Sequence, residues 1–180
     1  MSRNTIESFY DAIRDVPDFP KPGIVFRDIT PMLLDPGLFK RAVRSMAAPF
    51  KNARVDRVMA IESRGFILGA PIALALGAAL VPARKPGKLP WKRHRVEYEL
   101  EYGTDAIEVH EDAIGRGHRV LIVDDVLATG GTAAAAARAV EKAGGRLVGL
   151  SFLIELAMLA GRKRLGKSRV ASLLTYPRSD

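Results

Sequence analysis

Hydrophobic residues recur along the chain with two spacings, one typical of amphipathic helices and one typical of buried strands. Helical spacing near the N-terminus predicts a helix that ends before Pro17, and it is carried by Ile6, Phe9, Ile13 and Val16. Asp35-Pro36 predicts a second helix that runs to about Phe50, because an aspartate caps free N–H groups and a proline is tolerated in the first turn.

From residue 57 onward, short apolar runs alternate with helical patterns. Strands are predicted at 57–61, 78–83, 119–123, 146–154 and 169–175, and helices at 65–76 and 132–143. Two alternating segments, 96–101 and 106–109, predict a hairpin around Gly103-Thr104-Asp105. Strands that alternate with helices indicate an α/β fold, in which a mostly parallel central sheet is flanked by helices. We expect the whole chain, 1–180, to form a single domain.

The composition excludes several classes of protein. The 180 residues include no cysteine, which excludes disulfides, thiol catalysis and thiolate zinc sites. The longest apolar stretch, 66–82, is interrupted by glycine and proline and is a poor membrane span, and the N-terminus lacks the apolar core of a signal peptide. A cytoplasmic location with no membrane partner is therefore expected.

The chain is strongly basic, with 28 lysines and arginines against 20 acidic residues and a net charge of +8. Such a charge suits nucleic acid or a small polyanionic substrate equally well. One basic cluster, 84–95, lies among prolines and glycines and indicates a loop with a binding role. A second cluster, 162–169, is interpreted as a solvated helix and turn.

The segment 120–132 carries the clearest chemical signal. The apolar run 120–123 predicts a buried strand, and Asp124 and Asp125 follow at its carboxyl end, where open α/β sheets bind ligands. A short loop then leads into an alanine-rich helix, and it consists of Ala128, Thr129, Gly130, Gly131 and Thr132. Glycines let an anion approach the backbone, and the helix start supplies unpaired N–H groups, so this loop predicts a phosphate cradle. The two carboxylates can accept hydrogen bonds from vicinal hydroxyls, which indicates a sugar phosphate.

Two further segments predict anion binding. Ser63 and Arg64 also lie between a predicted strand and a predicted helix, although an ordinary turn with a surface arginine would look the same. Arg84, Lys85 and Lys88 lie on a loop constrained by proline and glycine, and three cations suit a diphosphate. A solvated basic loop or a nucleic-acid patch remains the alternative for these three.

The segment 120–132 resembles the phosphoribosyl-pyrophosphate (PRPP) motif of the type I phosphoribosyltransferases, and its Ala-Thr-Gly-Gly-Thr is similar to the adenine-using branch of that family. The resemblance implies the type I fold, with a small N-terminal hood (1–35) and a mobile β-hairpin loop (84–109). It places the 5′-phosphate on 128–132, the ribose hydroxyls on Asp124 and Asp125, and pyrophosphate on Ser63 and Arg64, where relatives commonly have a cis or strained peptide. The cations of 84–88 contact pyrophosphate in the family, and one reaches a neighbouring subunit, which implies a homodimer.

The hood also matches the adenine-using branch, over 19–31. There the residue matching Phe26 stacks on the base, backbone groups near Val25 and Arg27 read its edge, and the residue matching Leu156 covers its other face. Without the family, a lone phenylalanine is more often part of the core. The segment 98–103 matches the mobile loop, in which Glu101 is implied to handle the proton of the purine and Tyr102 to cover the reacting centre. Taken alone, that segment predicts only a polar hairpin.

The resemblance implies transfer of the phosphoribosyl group of PRPP to adenine, giving AMP and pyrophosphate. Glu101, Tyr102 and Arg64 are its expected catalytic residues, and displacement at the anomeric carbon is expected to pass through an oxocarbenium-like state. Mg²⁺ is expected as the cofactor, held mainly by PRPP or pyrophosphate, with no metal cage in the protein. Two alternatives remain: another base such as hypoxanthine or xanthine, and a PRPP-sensing regulator that binds nucleic acid. We expect no nucleic-acid partner, because no segment is left over for a helix-turn-helix domain.

Overall fold

A computed structural model describes residues 3–99 and 103–177, and within them five parallel strands form a central sheet. The helices and strands are α1 (Arg3–Asp11), β1 (Arg14–Val16), β2 (Phe26–Asp28), α2 (Thr30–Leu34), α3 (Pro36–Ala47), β3 (Arg57–Ile61), α4 (Arg64–Leu76), β4 (Ala79–Ala83), β5 (Arg93–Glu99), β6 (Thr104–His110), β7 (Arg119–Leu127), α5 (Gly131–Lys142), β8 (Arg146–Leu156) and β9 (Val170–Tyr176). Short 3₁₀ helices lie at Ala48–Ala53, Ala157–Leu159 and Gly161–Leu165.

The central sheet has the strand order β4-β3-β7-β8-β9, and its middle strand β7 explains the apolar run seen in the sequence. Leu121 and Val123 pack into a core with α3 and α4, while Val120 and Ile122 pack into a second core with α5 and the β5–β6 hairpin. Residues 120–123 are buried on both faces of the sheet and have no polar face, so this part of the strand is apolar throughout. The predicted α/β fold with a mostly parallel sheet flanked by helices is confirmed.

Helices α3 and α4 show how local sequence fixes the layers. The side chain of Asp35 accepts hydrogen bonds from the N–H groups of Gly37 (2.7 Å) and Leu38 (2.9 Å), so the predicted cap of α3 is confirmed. In α4, a Cβ added at Gly69 would lie 2.4 Å from the Cβ of Ala60 on β3. The glycine therefore lets this helix lie directly on the sheet.

The N-terminal prediction is wrong in part, because α1 ends at Asp11 and Val16 lies in a strand. The spacing that suggested a longer helix arises because Phe9 and Ile13 are both buried, although a turn separates them. Strand β1 pairs with β2 in antiparallel register, Val16 with Phe26, so its backbone finds a partner ten residues away. Helix α2 begins at Thr30, inside the segment 19–31 that was assigned to the hood, with Pro31 in its first turn.

The predicted hairpin is present, but its first strand begins earlier than expected. Strands β5 and β6 pair from Arg93 with His110 to Glu99 with Thr104, so the basic loop after β4 ends at 92 rather than 95. The segment 100–102 lies outside the described residues. Among the residues that are described, no helix has both the length and the apolar character needed to cross a membrane.

Candidate active site

A cleft of about 400 Å³ opens at the carboxyl end of the central sheet. Strand β7 pairs with β3 only as far as Val123 and then continues beside β8 to Leu127, so residues 124–127 have a free edge toward the cleft. The lining residues come from the hood, from β3 and the start of α4, and from β7, β8 and α5: Ile24, Val25, Phe26, Arg27, Ile61, Glu62, Ser63, Arg64, Lys85, Asp124, Asp125, Val126, Ala128, Thr132 and Leu156. Eleven of these were predicted site residues.

The sequence predicted that Asp124 and Asp125 follow the strand, but in the structure both lie on β7 itself. Asp125 is 5% exposed and forms an ion pair with the guanidinium of Arg64. Asp124 accepts a hydrogen bond from the N–H of Asp125 at 2.9 Å. Burial, and then the negative charge of Asp125, raise the pKa of Asp124 well above its ordinary value. The two carboxylates therefore differ: one has a cationic partner, and the other keeps its proton to a higher pH than a solvated aspartate.

The predicted phosphate cradle forms the start of α5. Gly130 is the N-cap, with a φ of +81° that favours glycine, and Gly131 is the first helical residue. The predicted residues 128–132 line a small adjoining pocket of about 80 Å³. The first N–H groups of a helix have no partner within it and carry its positive dipole end, so this pocket suits a phosphate. The hydroxyl of Thr132 donates to that of Tyr98 at 3.1 Å and so ties the cradle to the hairpin.

The turn between β3 and α4 contains Ser63 and Arg64, and the peptide bond between Glu62 and Ser63 is cis. Gly65 packs against β7, where an added Cβ would lie 2.9 Å from Oδ1 of Asp124. The guanidinium carbon of Arg64 lies 5.1 Å from the centre of the Phe26 ring. Arg64 therefore contacts both the acidic pair and the aromatic residue of the hood.

The three cations of the basic loop are held by carboxylates. Nε of Arg84 lies 3.1 Å from Oε2 of Glu62, and Lys88 pairs with the other oxygen of the same carboxylate. Burial alone would raise the pKa of Glu62, but hydrogen bonds from Lys88, from the backbone of Lys85 and from Arg84 lower it below its ordinary value. Of the three cations, Lys85 alone lines the cleft among the described residues; Arg84 and Lys88 reach it only through Glu62.

The ammonium group of Lys85 joins a second set of contacts. It forms an ion pair with Asp105 and donates to the hydroxyl of Tyr98 at 2.9 Å. Burial disfavours the charged lysine, but the hydrogen bonds that it donates to Asp105 and Tyr98 outweigh that effect and raise the pKa of Lys85. Lys85 is thus held as a cation at the cleft wall, where it links the basic loop to the hairpin.

The hood brings its predicted residues to one end of the cleft. The rings of Phe19 and Phe26 meet edge to face, with centroids 5.2 Å apart. The side chain of Arg27 forms an ion pair with Asp15, and its guanidinium carbon lies 4.2 Å from the centre of the Tyr176 ring. Phe26 and Leu156 both line the cleft, as a base held between two faces would require.

Some predicted residues cannot be placed, and some important ones were missed. Glu101 and Tyr102 lie outside the described residues. Glu62 and Asp105 were not predicted, although a cluster of cations beside a cleft is a general signal that carboxylate partners lie nearby. In the basic cluster 162–169, Arg162 and Arg169 are exposed, as the solvated interpretation expects, but each also has a partner that the sequence did not predict. Arg162 pairs with the buried Glu155, and the guanidinium carbon of Arg169 lies 5.1 Å from the ring centre of Phe50.

Comparison with known proteins gives one consistent result. Residues 32–173 match the family model of the phosphoribosyl transferase domain. Adenine phosphoribosyltransferase of Myxococcus xanthus is 62% identical over 164 residues, covering 91% of this chain and 89% of that protein, and the enzyme of Anaeromyxobacter dehalogenans is 60% identical over 91% and 95%.

Solved structures agree with that assignment. Adenine phosphoribosyltransferase of Rhodothermus marinus superposes with a TM-score of 0.93 at 53% identity, covering 97% of this chain and all of that one. The Saccharomyces cerevisiae enzyme, crystallised with adenine and an imino-altritol bisphosphate, superposes with a TM-score of 0.90 at 40% identity over 96% of this chain. The predicted type I fold is thereby confirmed. This chain belongs to the phosphoribosyl transferase family, in its adenine phosphoribosyltransferase branch.

Proposed function

We propose that this protein transfers the phosphoribosyl group of PRPP to adenine and releases pyrophosphate, forming AMP. The observation that carries the proposal is a cleft lined by the aromatic hood, which shares lining residues with the phosphate pocket at the start of α5. The acidic pair Asp124 and Asp125 lines the cleft, and Asp124 also lines the phosphate pocket. A ligand that fills both pockets needs an apolar planar group, hydroxyls and a phosphate.

PRPP is assigned to the cleft as follows. The N–H groups of 128–132 would bind the 5′-phosphate, and Asp124 and Asp125 would accept hydrogen bonds from the ribose hydroxyls. Ser63, Arg64 and Lys85 would contact pyrophosphate. Arg84 and Lys88 would have to leave Glu62 to contact it directly, so their part is indirect in the arrangement described above.

Adenine is assigned to the hood, between Phe26 and Leu156. Because the side chain of Arg27 is held by Asp15 and Tyr176, only the backbone near Val25 and Arg27 would read the edge of the base. A fixed pattern of backbone donors and acceptors can favour a 6-amino over a 6-oxo purine, since the wrong edge leaves polar groups unpaired.

The proposed reaction is displacement with inversion at the anomeric carbon. A ring nitrogen of adenine forms the new bond as the bond to the pyrophosphate oxygen breaks, and the electron pair of that bond leaves with pyrophosphate. Arg64 and Lys85 would stabilise the leaving charge. Glu101 is proposed to accept the proton that adenine loses, and Tyr102 to exclude water from the oxocarbenium-like centre.

Mg²⁺ is the proposed cofactor. Among residues 3–99 and 103–177, no three carboxylate or imidazole side chains converge on one point. The cleft does offer the carboxylates of Glu62, Asp124 and Asp125, which suit a metal held chiefly by substrate oxygens and water. When bound, Mg²⁺ would neutralise part of the charge on the diphosphate.

A homodimer is also proposed. Ile67 and Leu74 lie seven residues apart on α4 and so share a face, and Leu80 follows on the adjoining β4. They are 43%, 84% and 41% exposed. An apolar patch of this kind on a water-facing helix is typical of a protein interface.

AMP formation from adenine and PRPP with Mg²⁺ tests the function, run beside hypoxanthine, guanine and xanthine. We expect turnover with adenine alone. Turnover with a 6-oxo purine instead would keep the PRPP site and overturn the assignment of the hood. Tight PRPP binding without turnover of any base would favour the regulator, which should then also bind nucleic acid in a salt-dependent manner.

A further inference from the structure

A turn that does not line the cleft packs against the back of the phosphate cradle. A Cβ added at Gly161 would lie 2.0 Å from the carbonyl oxygen of Ala128 and 2.9 Å from the nitrogen of Gly130. In return, a Cβ added at Gly130 would lie 2.4 Å from the carbonyl oxygen of Gly161. The two backbones are in direct contact, and neither has room for a side chain.

An ion pair holds this turn in place. Arg162, the residue after Gly161, donates to both oxygens of Glu155, from Nε at 2.9 Å and from Nη2 at 2.5 Å. Ser172 on β9 donates to the same carboxylate at 2.7 Å, and Nη1 of Arg162 donates to the carbonyl of Val170 at 2.9 Å. A bidentate contact of this kind fixes the direction of the arginine as well as its distance.

Glu155 lies next to residues of both the cradle and the cleft. It is 7% exposed and lies on β8, in register with Leu127, the residue directly before the cradle. Its neighbour along the strand is Leu156, which lines the cleft. The ion pair therefore joins the turn, the end of β7 and the base-facing end of β8.

We propose that Glu155 and Arg162 are positioning residues, which hold Gly161 against residues 128–130 and so set the direction of the N–H groups that bind the 5′-phosphate. This inference rests on the assignment of the cradle to that phosphate. An anion held by backbone N–H groups depends on their orientation, and a displacement of about 1 Å can cost a large factor in binding or rate. Pyrophosphate, assigned to the other side of the cleft, should not depend on this turn.

The first test replaces Gly161 with alanine and compares two ligands by isothermal titration calorimetry. AMP uses the cradle, whereas pyrophosphate with Mg²⁺ does not. We expect Gly161→Ala to weaken AMP binding about tenfold or more and to change pyrophosphate binding by less than about twofold. Equal losses for both ligands, or none for either in a folded protein, would overturn the proposal.

The second test changes the ion pair. It tests the proposal independently if circular dichroism shows that Gly161→Ala does not fold. Arg162→Lys keeps the charge but loses the bidentate contact, so we expect the KM for PRPP to rise about tenfold while the KM for adenine changes little. Glu155→Gln should act in the same direction, and the double variant should be no worse than the more affected single variant. Additive losses, or a fall in kcat alone, would contradict a shared positioning role.

The matched control is Lys163→Met, which changes an exposed cation in the same 3₁₀ helix. It should leave both KM values at those of the wild type. If the wild type itself did not bind AMP, the assignment of the cradle to the 5′-phosphate would be overturned. If the wild type bound AMP and Gly161→Ala bound it equally well, only the positioning role of the turn would be overturned.

Discussion

Arg64 is the residue at which the separate parts of the cleft meet. It forms the ion pair with Asp125, its guanidinium lies over Phe26, and it follows the cis peptide of the β3–α4 turn. Because the side chain is 42% exposed, solvent weakens the ion pair, and its value lies in orientation more than in stability. Moving this one side chain would alter the acidic pair and the hood together.

Replacing Asp125 with asparagine keeps the shape of the side chain and removes the charge that orients Arg64. We expect kcat/KM for PRPP to fall by about tenfold or more, with a melting temperature close to that of the wild type. Steady-state kinetics and thermal unfolding measure the two effects. Asp112→Asn, which changes an exposed carboxylate, serves as the control. Wild-type kinetics in Asp125→Asn would remove this residue from the site.

Replacing Phe26 with alanine should raise the KM for adenine more than the KM for PRPP. Stacking of a base on an aromatic side chain contributes about 1–3 kcal/mol, so an increase of about tenfold or more is expected. Phe19→Ala, beside it and 52% exposed, should have a smaller effect. Initial rates over a matrix of both substrates separate the two constants. An equal rise in both would argue against stacking.

At the scale of elements, the contact between α4 and the sheet depends on a single glycine. Gly69→Ala would force a methyl group to within 2.4 Å of Ala60, so the helix would have to move off β3. We expect a loss of about 1–3 kcal/mol in the free energy of unfolding, measured in urea. Ala75→Ser, on the exposed side of the same helix, should change it by no more than about 0.5 kcal/mol. Equal stability of both variants would mean that the helix adjusts without cost.

The pair Glu155–Arg162 gives the fold a dependence on pH. Hydrogen bonds from Arg162, with a smaller contribution from Ser172, lower the pKa of Glu155 below the ordinary 4.5, and burial opposes them. A carboxyl group whose pKa is lower in the folded state stabilises the fold above the unfolded pKa, and this contribution is lost as the pH falls through the folded value. The wild type should therefore lose stability relative to Glu155→Gln as the pH falls from above 4.5 through the lowered pKa that Glu155 has in the folded state.

Urea unfolding at several pH values measures that difference. The gap between wild type and Glu155→Gln should narrow as the pH falls. A gap that stays constant across the range would show that folding leaves the pKa of Glu155 unchanged, and would contradict the prediction.

Elements were predictable from sequence where the signal is local. The strands of the central sheet are apolar on both faces, and the cap of α3 lies in two adjacent residues, so both were predicted. The pair β1–β2 was not, because each strand has three residues and its partner is supplied by a distant segment. Val16 was assigned to the first helix for a different reason. The spacing of apolar residues indicates which residues face the core, and that spacing continues through the turn after α1.

The site divides in the same way. Its cradle and acidic pair lie within nine consecutive residues, 124–132, and could be predicted. Contacts between distant segments could not: Glu62 with Lys88, Lys85 with Asp105, and Gly161 with Ala128. Each joins residues that are more than nineteen positions apart, and no periodicity marks them. The hood assignments depended on the family resemblance.

At the scale of the whole molecule, the apolar patch of Ile67, Leu74 and Leu80 has a consequence for assembly. We expect sedimentation equilibrium to give twice the chain mass of 19.6 kDa. Leu74→Glu should shift the protein toward the monomer, because a charge in an apolar interface loses its hydration. Leu34→Glu is the control, since Leu34 is 76% exposed on α2. A wild type that sediments as a monomer would contradict the proposal.

The carboxylates that hold Arg84, Lys85 and Lys88 also bear on how so basic a protein avoids indiscriminate binding. With a net charge of +8, an open cluster of cations would attract any anion in the cell. Here the carboxylates of Glu62 and Asp105 compete with external anions for the three cations. A phosphate or nucleic acid must therefore displace a carboxylate of the chain before it can bind them. Breaking these ion pairs costs free energy, and only a ligand that also makes contacts elsewhere in the cleft offsets that cost. The internal ion pairs would thus weaken the binding of substrate fragments more than the binding of the full substrate, and so raise the selectivity of the cleft.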